Sequence, residues 1–286
     1  MKTFKETTIT LLLLLTVTAL QAQQREPEPV SLQKITDRIY QINGGSGANG
    51  GVILCETGII VIDTKMDEPS VKQSLEAIRS VSQKPLVYLV NTHSDGDHIM
   101  GNRFFPESVT VVAHENCRDD FFKENFGRPS DWDEPAYFPF TPSITFDENL
   151  NLWLGRDRVE LHYYGKGHTS GDIVVYIPDE KVAFIGDLYF TDRPQLIHSA
   201  KGGNSFEYVR TISRMLKNLD AEVFISGHSA PAGRDDLGAH IQAMEKRQEK
   251  VKELMEQDLD LEKVLTHFDE GESRLVTSIY QEISGM

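Results

Sequence analysis

The chain has 286 residues, 39% of them hydrophobic and 26% charged, with a formal net charge of −15. That length accommodates one large domain with a true core, or two small ones. An acidic balance without a basic run argues against nucleic acid and anionic membrane surfaces as partners, and two cysteines distant in sequence, Cys55 and Cys117, make no cysteine-based zinc site.

Residues 1–22 read as a secretory signal peptide. Lys2 and Lys5 precede an apolar run from Leu11 to Leu20, and Ala22 offers a small residue for cleavage. The run is about a dozen residues, too short to span a bilayer comfortably, so no stable membrane anchor should remain after cleavage. The mature protein is then expected outside the cytoplasm, periplasmic or secreted. Export permits a Cys55–Cys117 disulfide; two buried free thiols fit the sequence equally well. Residues 23–34 read as a polar leader, "QQREPEP" at its start.

The β-branched runs "GGVILCE" (50–56) and "GIIVIDT" (58–64) predict paired strands. Val71, Leu75 and Ile78 after a proline start predict a helix over 69–83. "PLVYLV" (85–90) predicts a buried strand, "VTVVAH" (109–114) another, and 117–126 a helix. Residues 127–143 hold four prolines with Trp132, Tyr137, Phe138 and Phe140, and show no periodicity. They read either as a lid whose aromatics wall a substrate pocket or as a surface loop pinning its aromatics onto its own domain. Strands resume at 157–163, 172–177 and 181–186. A helix is expected over 205–219, a short strand over 221–226 and an amphipathic helix over 236–257, followed by a helical tail. This mixture predicts an α/β layered domain, with residues 236–286 expected as C-terminal helices packed on the same domain.

Polar residues cluster just beyond these strands, where ligands of layered α/β folds gather. "NTHSDGDH" (91–98) follows 85–90, His168 lies in "GKGHTSGD", Asp187 follows "KVAFIG", and His228 follows "AEVFIS". Imidazole and carboxylate are the donors that divalent transition metals take in the absence of thiolates. His93 and His168 fit one ion, Asp97, His98 and His228 a second, and Asp187 a bridge. Two such ions can share a water, lower its pKa and polarise the bond it attacks.

These segments, in this order, resemble the metallo-β-lactamase superfamily over roughly residues 35–235. The resemblance implies a four-layer αβ/βα sandwich and a pair of divalent metals, zinc first, with manganese or iron as alternatives. It implies His93 and His168 as site-one ligands, Asp97, His98 and His228 as site-two ligands, and Asp187 as the bridge. Asp63, Thr169 and Asp172 match residues that support the ligands from behind. Asp97 matches the residue that orients the attacking water.

The motif departs at one place: it reads His-x-Asp-x-Asp-His, with Asp95 where the superfamily carries histidine. Asp95 is either a metal ligand or a solvent-facing neighbour of Gly96. The diiron flavoproteins of this fold place a glutamate ligand here. As a ligand, Asp95 would make the site formally neutral and manganese or iron more competitive. Some β-lactamases carry cysteine where this chain has Asp187, so a general hydrolase is expected rather than a typical β-lactamase. His198 and Lys201 either reach an anionic part of the substrate or lie in a solvated loop. The expected activity is cleavage of a small-molecule ester, lactone, lactam or thioester, or of a phosphate or sulfate ester. An iron-dependent oxidoreductase and a non-catalytic binding relative are the alternatives. No motif selects an oligomeric state.

Overall fold

The computed structural model describes residues 27–123 and 129–285; the expected signal peptide lies outside them. Two sheets face each other. The first holds seven strands in sequential order: β1 (Ser31–Lys34), β2 (Ile39–Asn43), β3 (Gly50–Leu54), β4 (Ile59–Ile62), β5 (Leu86–Val90), β6 (Thr110–His114) and β7 (Ile144–Phe146). The second runs in the order β12 (Val223–Ser226), β11 (Val182–Gly186), β10 (Val174–Ile177), β9 (Asp157–His162), β8 (Asn149–Leu154). Pairing is antiparallel from β1 to β4 and parallel from β4 to β7. In the second sheet only β11 and β12 run parallel.

Three apolar layers hold the sandwich together. Between the sheets, Ile53, Ile60, Ile62 and Val112 meet Leu161, Val175, Phe184 and Ile225. Both faces of β4 are buried, which is why "IIVI" is unbroken by polar residues. The outer face of the first sheet is covered by α1 (Glu68–Val81) through Val71 and Ile78. Asp67 caps this helix by accepting the Ser70 amide, and Pro69 in the first turn loses no helical hydrogen bond. The outer face of the second sheet is covered by α4 (Ser205–Asn218), α5 (Arg234–Met255) and α7 (Ser273–Ser284) through Ile212, Met244, Val276 and Ile279. The short α6 (Leu261–Leu265) joins α5 to α7. The C-terminal helices therefore share their core with the sheet. No helix among the described residues is long and apolar enough to cross a membrane.

Several boundaries differ from expectation. The polar leader ends early, because Ser31–Lys34 pairs with β2 as an edge strand and its mostly exposed side chains leave no hydrophobic pattern to read. Strands resume at β7 and β8, ahead of residue 157; β8 alternates buried leucines with exposed Asn149, Asn151 and Trp153. The helix expected over 117–126 is α3 (Glu115–Phe121), started by the His114 ring accepting the Asn116 amide; residues 124–126 lie outside the described residues. Cys55 and Cys117 are both buried free thiols.

Candidate metal centre

The donors sit where parallel strands end. β5 leads into Asn91–Asp95 and the single turn α2 (Gly96–Ile99), which together carry His93, Asp95, Asp97 and His98. Asp63 follows β4, Asp187 follows β11, His228 follows β12, and the loop before β10 supplies His168. Glycine permits the closest approach: a Cβ on Gly227 would lie 2.4 Å from Asp187 Oδ1 and 2.5 Å from His98 Cε1.

Two donor groups result, His93 with Asp95, His168 and Asp187, and Asp97 with His98 and His228; within each, the donor atoms all lie within 4.8 Å of one another. In the first, Asp95 Oδ2 is 2.9 Å from His168 Nε2 and 3.8 Å from His93 Nε2. Asp187 Oδ2 is 3.9 Å from His93 Nε2 and 3.7 Å from His168 Nε2. In the second, Asp97 Oδ2 is 3.0 Å from His228 Nε2 and 3.9 Å from His98 Nε2. Asp187 also faces this group, with Oδ1 3.1 Å from His98 Nε2 and Oδ2 3.4 Å from His228 Nε2. Donors about 2.0–2.2 Å from a tetrahedral cation stand about 3.3–3.6 Å apart, the middle of these separations.

Hydrogen bonds behind the rings set their direction. His98 Nδ1 lies 2.8 Å from Asp63 Oδ2, and His168 Nδ1 lies 2.8 Å from the Leu196 carbonyl. Thr92 Oγ1 donates to Asp63 Oδ2 and so accepts from His93 Nδ1, 3.1 Å away. All three acceptors require Nδ1 to carry the proton, so each neutral ring turns a bare Nε2 lone pair inward. Those lone pairs face carboxylate oxygens. His93 Nε2, His98 Nε2 and Asp187 Oδ1 are buried and have no hydrogen-bond partner. Lone pairs converging in this way require a cation among them, either protons on the rings or metal ions. The donor set therefore fits a pair of divalent metals, zinc being typical of such nitrogen and oxygen ligands.

The charges follow the same logic when only protons serve. Burial opposes both charged forms, yet His98 holds Asp187 well below the usual carboxylate range, and Asp187 with Asp63 lifts His98 well above the ordinary imidazole value. Against its own burial, the Asp95 hydrogen bond raises His168 to about 9. Asp97, half-buried, is held down at about 2 by His228 and His98.

The supporting residues lie behind the donors. Asp63, 3% exposed, accepts the Thr92 amide at 2.7 Å, the Thr92 hydroxyl and the His98 ring, and adopts a left-handed φ of 54°. Asp172 accepts the Thr169 amide and hydroxyl, closing the turn that carries His168. Thr92 and the Leu196 carbonyl orient two of the rings and were not anticipated. Thr92 sits inside the motif between two conspicuous polar residues, while a backbone carbonyl leaves no trace in sequence.

The residues expected to meet substrate have partners within the protein. Trp132 packs on Phe121, with ring centroids 4.9 Å apart, and joins the cluster of Ile99, Ala113 and Cys117. Tyr137 lies against Trp132 and under the Arg103 guanidinium. Trp132 and Tyr137 are thus pinned onto their own domain, while Phe138 stays 52% exposed. Lys201 is not free for an anionic substrate. Its ammonium donates to Asp95 Oδ1 at 2.7 Å and to the Ser94 carbonyl at 2.8 Å. His198 Nδ1 lies 3.5 Å from the same Asp95 oxygen, and burial pushes its ring down to about 4. Phe190, not anticipated, lies against the rings of His228 and His168, and Arg193 stacks over it at 4.2 Å.

The model of the metallo-beta-lactamase superfamily matches residues 43–228, and the chain belongs to that superfamily. It is 26% identical over 196 residues to a type 2 metallo-beta-lactamase of Elizabethkingia meningoseptica, covering 61% of this chain and 74% of that one. It is also 26% identical over 221 residues to subunit alpha of the 2,4-dinitroanisole O-demethylase of Nocardioides sp. (strain JS1661), covering 76% of this chain and 61% of that subunit. Among solved structures, the DIM-1 metallo-beta-lactamase superposes with a TM-score of 0.63 at 20% identity, covering 77% of this chain and 99% of that one. A double mutant of the sec-alkyl sulfatase PisA1 gives 0.73 at 17% identity, covering 90% of this chain but half of that one. At those identities the two structures speak for the shared fold alone.

Proposed function

We propose that this protein is an exported metal-dependent hydrolase acting on a small molecule. The observation that carries this reading is the set of inward Nε2 lone pairs on His93, His98 and His168, each fixed by an acceptor behind it and facing the carboxylates of Asp95, Asp97 and Asp187. His93, Asp95 and His168 would hold one cation, Asp97, His98 and His228 the other, and Asp187 both. When bound, the pair supplies an acidified water and a Lewis acid for the scissile group.

The chain's own residues do the rest. Asp97 is the most exposed of the three carboxylates, at 28% of its side chain against 10% for Asp95 and 3% for Asp187. It is the one placed to accept a hydrogen bond from the attacking water and aim it. His228 Nε2 lies 3.0 Å from Asp97 Oδ2 and shares this partly open side. Phe190, buried beneath the Arg193 guanidinium, packs beside the two rings.

Acyl substrates stand ahead of phosphate and sulfate esters on superfamily grounds. The relatives named a β-lactamase, an O-demethylase and an alkyl sulfatase set the breadth of the test. Metal-stripped protein reloaded separately with zinc, manganese and iron is assayed on esters, lactones, lactams, thioesters, aryl methyl ethers, and phosphate and sulfate esters. We expect two metals per chain and hydrolysis of one class, abolished by chelation and restored by metal. Fully loaded protein inert on the whole panel would make this a binding relative; oxygen consumption by the iron form would make it an oxidoreductase. Export is tested by N-terminal sequencing from the native cell: a start near Gln23 is expected, and an intact Met1 in the cytoplasm refutes it.

A further inference from the structure

Asp95 stands where the superfamily motif carries a neutral histidine, and its two oxygens have different partners. Oδ2 points at the first donor group, 2.9 Å from His168 Nε2. Oδ1 points away from it and accepts the Lys201 ammonium at 2.7 Å, with His198 Nδ1 at 3.5 Å. The lysine is held in place by its backbone. The Lys201 carbonyl accepts the Ser170 amide, the Lys201 amide donates to the His198 carbonyl, and the His198 amide donates to the His168 carbonyl. The loop that carries the lysine is thus tied to the loop that carries a donor. The pair is also poorly solvated, with side-chain exposures of 10% for Asp95 and 29% for Lys201, so solvent screens it far less than a surface pair.

We propose that Asp95 and Lys201 act as one unit in the first metal site, an aspartate donor whose charge a fixed lysine neutralises, in the place of a histidine. The inference rests on the metal-centre reading above. Aspartate adds one negative charge to the site and Lys201 adds one positive charge, so the formal neutrality expected from Asp95 alone does not hold. The pair leaves the site with the charge it would have with histidine. The lysine also fixes geometry. Aspartate is shorter than histidine, and anchoring Oδ1 from behind turns Oδ2 toward His93 and His168. Lys201 is a positioning residue: it acts on the first donor group through Asp95.

The two positions must then change together. Asp95→His, which restores the superfamily motif, should weaken zinc binding, because it strands the Lys201 charge beside a divalent cation. At this separation and partial burial we expect a loss of about tenfold or more. Adding Lys201→Met should recover the affinity; adding Lys201→Arg, which keeps the charge, should not. Asp95→Asn, isosteric with the native residue, serves as a second background should the bulkier histidine prevent folding: there too Lys201→Met should strengthen binding and Lys201→Arg should not. The readouts are zinc affinity of the metal-stripped full chain, by competition with a chelating dye, and zinc stoichiometry, with circular dichroism of the metal-free variants as the control for folding. A wild-type chain that takes up no zinc overturns the metal-centre reading and the pair with it. Zinc uptake by the wild type, with equal affinity in the single and double variants of both backgrounds, overturns the pair alone.

Discussion

Replacing Asp63 by alanine tests whether the donors are held from behind. The carboxylate is 3% exposed and accepts three hydrogen bonds, from the Thr92 amide and hydroxyl at 2.7 Å each and from His98 Nδ1 at 2.8 Å. Alanine strands all three donors in a closed environment, at about 1–3 kcal/mol for each buried group left unpaired. The backbone offers no relief, because φ at this position is 54°, a region alanine tolerates worse than aspartate. Allowing for water entering the space and for bonds that share one side chain, the metal-free protein should lose about 3–5 kcal/mol. Zinc affinity should fall about 10–100-fold, the usual cost of losing a residue that orients a ligand ring. Asp63→Asn keeps one acceptor and tolerates the left-handed backbone, so it should lose about half as much stability. Urea denaturation of chelator-treated protein, with zinc titration of the folded variants, measures both quantities. A loss below about 1 kcal/mol with unchanged zinc affinity would refute the reasoning, since a single one of these bonds should cost that much.

The remaining predictions follow the same geometry. Asp187→Ala should weaken both metals at once because its two oxygens face both donor groups; two tightly bound metals in that variant, by elemental analysis, would remove it from the bridge. His168 is raised to about 9 in the metal-free fold, so its stabilising contribution is complete below about pH 6.5 and disappears as pH rises through about 9. The urea midpoint of metal-free protein should fall across that window, and metal uptake near pH 7.5 should release protons, seen as a binding enthalpy that varies with buffer; a buffer-independent enthalpy contradicts this. Gly227→Ala should leave the far-ultraviolet circular dichroism intact but cut metal stoichiometry, because the added methyl meets Asp187 and His98; full metal content would show that the loop can yield.

The donors were legible because each obeys a local rule. His93, Asp97 and His98 share one short motif after β5, Asp187 and His228 follow the buried strands β11 and β12, and His168 lies in the loop between β9 and β10. Burial on both faces makes such strands continuous apolar runs, so their ends, and the polar residues just past them, can be read one segment at a time. The strands that escaped notice, β1, β2, β7 and β8, lie at or next to sheet edges, where solvent replaces one packing partner and polar residues interrupt the pattern. The partnership of Asp95 with Lys201 is of another kind. The two residues are separated by 106 positions and meet only because the loop after β5, in the first sheet, faces the loop after β11, in the second. Local sequence records propensity and burial, whereas which charge stands beside which is decided by how the two sheets stack. The substitution in the motif was therefore visible from the start, and the lysine that balances it became visible only when the chain was folded.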